Sequence, residues 1–145
     1  MVRPWNLFAC FGILFLACGC NRDPEFAEVE GKLVKGGTPL KNVRVEFWPE
    51  GDGPKSTGVT DEQGRYTLKS EDGRTTGAIV GQHRVILRDL DFYGDVFMGR
   101  KAENMPVLNK NAKERFAKTY GEVGSTDIKK SVARGQKNVF DLEVK

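Results

Sequence analysis

The sequence predicts an all-β fold, a β-sandwich of about seven short strands. Beyond residue 27, apolar and polar residues alternate with period two in most segments, as they do in strands with one buried face. Clusters of Gly, Pro, Asp and Asn separate these segments and supply turns. All 3 cysteines lie within residues 1–20, so the following domain has no internal disulfide and no cysteine-based metal site, and its stability must come from a hydrophobic core.

The first predicted strand covers residues 28–34, where Val29 and Leu33 share one face. Residues 35–39 contain two glycines and a proline, which is typical of a turn. The next strand is predicted over residues 43–48, because every second residue there is apolar. These two strands form the start of the domain.

The middle of the domain contains three further strand patterns. Residues 56–60 and 65–68 flank the Asp- and Gly-containing segment 61–64, which favours a tight hairpin between them. Residues 83–88 follow as a strand with apolar residues on both faces.

The chain closes on residues 139–144, where Phe140, Leu142 and Val144 are predicted to point inward. Residues 128–132 precede a glycine-containing turn, and we interpret them as the partner of this last strand.

A long insert, residues 89–124, interrupts the strand pattern. Such an insert in a small domain is usually functional or disordered. Asn111 and Glu114 have the spacing of a capping box, and Phe116 and Tyr120 follow at helical spacing. The sequence therefore predicts a short helix within the insert.

The N-terminus has the composition of a secretion signal. Arg3 precedes an uncharged run over residues 7–17, which is the length of a secretory apolar region and short for a membrane span. The run ends at Cys18 and Cys20 and then turns polar. We interpret it as a signal peptide rather than as a membrane anchor or a core helix.

Two overlapping segments, residues 15–18 and 17–20, resemble a bacterial lipobox. The resemblance implies cleavage before the cysteine and lipidation of its thiol, at Cys18 or alternatively at Cys20. It divides the chain into a lipoprotein signal peptide (residues 1–17), a lipidated linker (18–26) and a domain (27–145). An ordinary secretory signal with incidental cysteines is the other interpretation.

The implied location is the cell envelope, with the N-terminal lipid anchored in a membrane. Gly19 or Asn21 follows the candidate cysteine, where enteric bacteria place Asp in lipoproteins that remain in the inner membrane. The outer membrane or the cell surface is therefore the expected destination.

Six segments of the domain carry recognisable motifs: 29–33 (VEGKL), 37–40 (GTPL), 43–47 (VRVEF), 60–68 (TDEQGRYTL), 77–85 (GAIVGQHRV) and 138–142 (NVFDL). In this order they resemble the motifs of the carboxypeptidase regulatory-like family, and the combination with a lipobox is similar to small lipoproteins of planctomycete bacteria. The resemblance implies a transthyretin-like Greek-key β-sandwich and an envelope location, but no activity.

The residues of these motifs have structural interpretations. Gly31 and Gly58 allow close packing of the sheets or a bulge. Asp61 and Gly64 form a turn, and Tyr66 fills the core with its hydroxyl directed to the edge.

Catalysis is not expected. His83 is the chain's 1 histidine, whereas zinc hydrolases use two or three, and no Gly-x-Ser-x-Gly turn is present. We therefore assign no catalytic, cofactor-binding or metal residue. A net charge of +3, spread along the chain, gives no indication of nucleic-acid binding.

The predicted function is a structural or adhesive one, as a non-catalytic envelope protein that contacts a protein partner. The alternative is a module that binds carbohydrate or calcium through residues 89–97, where aromatic rings and carboxylates are concentrated. The other interpretation of this loop is that Phe92 and Phe97 fix it to the sandwich. The candidate ligand residues are Asp89, Asp91, Phe92, Tyr93, Asp95 and Phe97.

Overall fold

Short β-strands dominate residues 24–93 and 111–145, which are the residues that the computed structural model describes. The strands are β1 (Phe26–Ala27), β2 (Val29–Lys35), β3 (Thr38–Pro39), β4 (Val43–Pro49), β5 (Ser56–Val59), β6 (Arg65–Thr67), β7 (Lys69–Ser70), β8 (Ala78–Ile79), β9 (Gly81–Asp89), β10 (Lys129–Val132), β11 (Asn138–Val139) and β12 (Leu142–Val144). They form antiparallel and parallel pairs in a β-sandwich, which confirms the predicted all-β class.

The larger sheet has the strand order β10-β9-β4-β5-β7. Its central pair is antiparallel over the whole of β4, from Val43 opposite Asp89 to Pro49 opposite His83. Val45 and Phe47, like Val43, are fully buried, as the alternation in this segment predicted.

The smaller sheet is built around β2. Strands β11 and β12 run parallel to β2 along one edge, and β6 and β3 run antiparallel to it along the other. Val29 and Leu33 of β2 are fully buried, which confirms their predicted face. Strands β1 and β8 form a separate two-stranded pair.

Both sheets contribute to one hydrophobic core. The insert also contributes to it, because Phe116 and Tyr120 belong to the same cluster of buried side chains. Burial of such side chains provides the main driving force for folding, because the domain contains no cysteine that could form a disulfide. The largest apolar members of the core within the described strands are Phe47, Tyr66, Leu33, Leu87 and Leu142.

Two predicted strand pairings are wrong. Strands β5 and β6 do not form a hairpin, because β5 pairs with β4 in the larger sheet and β6 pairs with β2 in the smaller one. The turn at Asp61–Gly64 instead connects the two sheets, and the Asp61 carboxylate accepts hydrogen bonds from the backbone N–H groups of Gln63 and Arg65. Strand β10 pairs with β9 rather than with the last strand.

The last strand is also interrupted, at Phe140 and Asp141, between β11 and β12. Here the Tyr66 hydroxyl donates to the Phe140 carbonyl oxygen at 2.6 Å, and the Lys32 backbone N–H donates to the Asp141 carboxylate at 2.9 Å. Side chains thus replace part of the backbone ladder. The predicted core role of Tyr66 is confirmed, since it is 3% exposed.

Gly31 and Gly58 are sites of close approach, as predicted. A Cβ atom on Gly31 would lie 1.9 Å from the Phe140 carbonyl oxygen. A Cβ atom on Gly58 would lie 2.4 Å from the Thr67 carbonyl oxygen, where β5 approaches β6 of the other sheet. Both glycines are therefore required by packing.

The helix predicted from the capping box is mostly absent. The described part of the insert has an α-helical turn, α1 (Leu90–Tyr93), and a 3₁₀ helix (Lys118–Gly121). Glu114 does not cap a helix, because its carboxylate accepts the Tyr93 hydroxyl at 2.8 Å. Contacts to β9 and α1 therefore determine the conformation here, rather than local propensity.

Candidate functional site

The predicted ligand loop begins at the end of β9. Asp89 is the last residue of that strand and is 1% exposed, while Asp91, Phe92 and Tyr93 lie in α1. Asp95 and Phe97 lie outside the described residues. The structure therefore places four of the six predicted ligand residues.

Arg115 binds both carboxylates of this group. Its guanidinium contacts Asp89 through Nη2 to Oδ1 at 2.5 Å and Nε to Oδ2 at 2.8 Å, and Nη2 lies 3.3 Å from Asp91 Oδ2. The side-chain amide of Asn42 also donates to Asp91, and Arg115 Nη1 donates to the Lys41 carbonyl at 2.9 Å. This group, called here the Arg115 clamp (Asn42, Asp89, Asp91 and Arg115), fixes the insert to the sandwich.

The aromatic residues of the loop also make internal contacts. Tyr93 is 6% exposed, and its ring and the Phe92 ring meet edge to face at a centroid distance of 4.6 Å. Burial and the hydrogen bond to Glu114 raise the pKa of Tyr93 well above the ordinary tyrosine value. Phe92 and Glu114 thus hold Tyr93 within the insert, and the packing of Phe92 and Phe97 against the sandwich stays a prediction.

Calcium is not expected to bind Asp89 and Asp91. Within residues 24–93 and 111–145, no three His, Cys, Asp or Glu side chains are grouped so as to hold a metal ion. The Asp89 and Asp91 carboxylates already bind Arg115, so calcium would have to displace a buried ion pair. We expect the melting temperature to be the same in millimolar calcium and in excess chelator. A melting temperature that is higher in calcium than in chelator, with the difference lost on Asp91→Asn substitution, would contradict this expectation.

His83 lies in strand β9, as the pattern of residues 83–88 predicted, and its side chain is buried. It is 1% exposed, its Nδ1 lies 3.0 Å from the Gly81 carbonyl oxygen, and its Nε2 has no partner in the described structure. Its ring lies beside Phe47 at 5.8 Å, and Lys130 of β10 stands opposite in the ladder. Burial lowers the pKa of His83 below the ordinary histidine value, against the smaller raising effect of the Gly81 carbonyl.

Acid is therefore expected to destabilise the fold through His83. Between the lowered folded pKa and the unfolded value of about 6.5, the unfolded chain binds more protons, so the free energy of unfolding decreases as pH falls below about 6.5. Urea unfolding from about pH 7.5 to about pH 5 measures this. His83→Gln should flatten the profile in that window, and an unchanged slope would contradict the assignment. The pKa values of Asp61 and Asp72 are lowered from the ordinary aspartate value, so these residues affect stability only at a more acidic pH than this window.

A second charged group lies on the face of the larger sheet turned away from the core. Glu46 is fully buried and accepts hydrogen bonds from Arg88 Nε and Trp48 Nε1, both at 2.9 Å. Lys55 Nζ lies 4.4 Å from the centroid of the Trp48 ring. Because these polar atoms bond to one another, the group stabilises the sheet rather than exposing a reactive side chain.

A groove of about 690 Å³ crosses the outer face of the smaller sheet. It runs from Val59, at the end of β5, across β6 and β2 to Val139 on β11. Glu30, Asp61 and Asp141 also line it. We call it the outer groove.

Sequence reasoning found neither the Arg115 clamp nor the outer groove. The acidic half of the clamp was visible, but Arg115 lies 26 residues from Asp89, a separation that no local motif spans. Phe140 is predicted to point inward, so its neighbour Val139 is expected to point outward. An outward valine in this strand was the signal that could have revealed the apolar wall of the groove.

In the two described ranges, no helix is both long and apolar enough to span a membrane. Comparisons with known protein families, curated proteins and solved structures found no match to this chain.

Proposed function

We propose that the chain is a lipid-anchored protein of the cell envelope that acts without catalysis, through contacts between its β-sandwich and a protein partner. The observation that carries the proposal is the pair Cys18 and Cys20 at the end of an apolar run, only a few residues before strand β1. Lipid on one of these thiols and on the new N-terminus would anchor the sandwich stably.

The environments of the polar side chains support a non-catalytic role. A general base must reach a substrate proton, whereas both ring nitrogens of His83 lie inside the fold. Among the described residues, the most buried carboxylates are those of Glu46 and Asp89, and they are bound to Arg88 and Arg115. The chemistry of these groups therefore favours holding a rigid scaffold.

The carbohydrate- or calcium-binding alternative has less support. It requires Asp89 and Asp91 to face a ligand, whereas both accept hydrogen bonds within the Arg115 clamp. Tyr93 is likewise buried and bonded to Glu114. The outer groove is the more accessible surface for a partner, since two of its residues, Val59 and Val139, are 48% and 60% exposed.

The anchor is tested by fractionating cells that express the full chain with its own N-terminus. The protein should stay in the membrane pellet through high-salt and alkaline washes and be released by detergent. One of the two variants Cys18→Ser and Cys20→Ser, the one that removes the lipidated cysteine, should abolish membrane retention. Cys10→Ser, within the apolar run, should not. Release of the native chain by salt alone would overturn the proposal.

A further inference from the structure

The outer groove combines exposed apolar walls with an excess of acid. Val59 and Val139 are two of the large apolar side chains that the described structure leaves exposed, and they come from different sheets. Exposed apolar residues that share one concave surface are typical of an interaction site, whereas scattered ones are not. The backbone of the groove is firmly held, because β6 and β11 pair with β2 on its two sides.

The charges of the groove pair incompletely. Arg65 binds Asp61 at 2.9 Å, and Lys137 binds Glu30 at 2.7 Å. Asp141 forms no ion pair within the described residues, and its carboxylate accepts the backbone N–H of Lys32. One carboxylate therefore remains available beside the exposed side chain of Val139.

We propose that the outer groove binds an extended, basic segment of a partner protein, with a Lys or Arg side chain on Asp141 and an apolar side chain between Val59 and Val139. Alternate residues of an extended segment point to the same side, so a cation and an apolar residue two positions apart can both face the groove. Charge complementarity selects a basic partner over an acidic one. This inference rests on the proposed function, since it names the partner chemistry of a contact protein.

The test uses the full chain in a non-ionic detergent and a fluorescein-labelled peptide. The peptide repeats the order serine, lysine, serine, valine, so that a lysine and a valine lie two positions apart. Fluorescence anisotropy should show saturable binding that weakens as salt is added. The matched peptide with glutamate in place of lysine should not bind. Detergent micelles without protein serve as the blank for both peptides.

Two variants locate the binding. Asp141→Asn keeps the acceptor for the Lys32 backbone N–H but removes the charge, and should weaken binding about fivefold, as expected for a partly exposed ion pair. Glu143→Gln removes a charge two residues further along the chain, outside the groove lining, and should leave affinity unchanged within about twofold. Thermal melting of both variants checks that the fold is intact.

Equal binding of the lysine and glutamate peptides, equal effects of the two variants, or no binding at all would overturn the inference. Failure here, with the native chain still retained in membranes through its cysteine, would leave the anchor proposal standing. Conversely, peptide binding by a chain that salt releases from membranes would overturn the anchor and leave the groove assignment intact.

Discussion

Replacing Gly31 by alanine is expected to lower the free energy of unfolding by at least about 3 kcal/mol, at the upper end of overpacking effects. The new Cβ atom would lie 1.9 Å from the Phe140 carbonyl oxygen and 2.9 Å from the Tyr66 hydroxyl oxygen. Relief of this overlap requires β11 and β12 to move from β2, which also breaks the Tyr66–Phe140 hydrogen bond. Urea denaturation followed by circular dichroism measures the change.

Gly51→Ala provides the matched control. A Cβ atom on Gly51 would meet nothing within 4 Å, and the residue has no positive φ. The expected change is within about 0.5 kcal/mol, as for ordinary surface substitutions. Equal stabilities of the two variants would contradict the close approach of Phe140 to Gly31.

Replacing Arg115 by methionine is expected to cost about 3–5 kcal/mol, because it leaves a buried carboxylate without its counter-charge. Asp89 is 1% exposed and takes two hydrogen bonds from the Arg115 side chain. The substitution also removes the donor to the Lys41 carbonyl. The same denaturation assay reports the loss.

A double-mutant cycle separates the ion pair from the packing of the arginine stem. Asp89→Asn combined with Arg115→Met should be less destabilised than the sum of the single variants, since no uncompensated charge remains. Arg74→Met is the control, because Arg74 is 87% exposed and its contact with Asp72 is 3.9 Å long. Additivity in the cycle, or an Arg74 effect as large as that of Arg115, would contradict the Arg115 clamp.

The faces of the strands could be predicted from the sequence, but their partners could not. Alternation in β2 and β4 reports directly which side chains are buried, and Val29 and Phe47 are where it placed them. Alternation says nothing about neighbours across the sheet. Strand β10 pairs with β9, and the Asp61–Gly64 turn joins two sheets rather than two paired strands, because packing of distant segments decides both.

The insert shows where local signals lose to long-range contacts. Asn111 and Glu114 have capping-box spacing, yet Glu114 binds Tyr93 and the next residue, Arg115, binds Asp89. A charge-assisted contact with a buried carboxylate outweighs a helix-capping preference of about 1 kcal/mol. The acids of the candidate loop could be seen in the sequence, but their partner could not.

The central claim is the lipid anchor, and intact mass spectrometry of the protein extracted from membranes tests it most directly. We predict a chain that begins at Cys18 or Cys20 and carries the mass of a diacylglycerol plus an acyl group. That mass should be lost on Ser substitution of the one lipidated cysteine and kept on substitution of the other. A mature chain with a free, unmodified N-terminus in the soluble fraction would contradict the account.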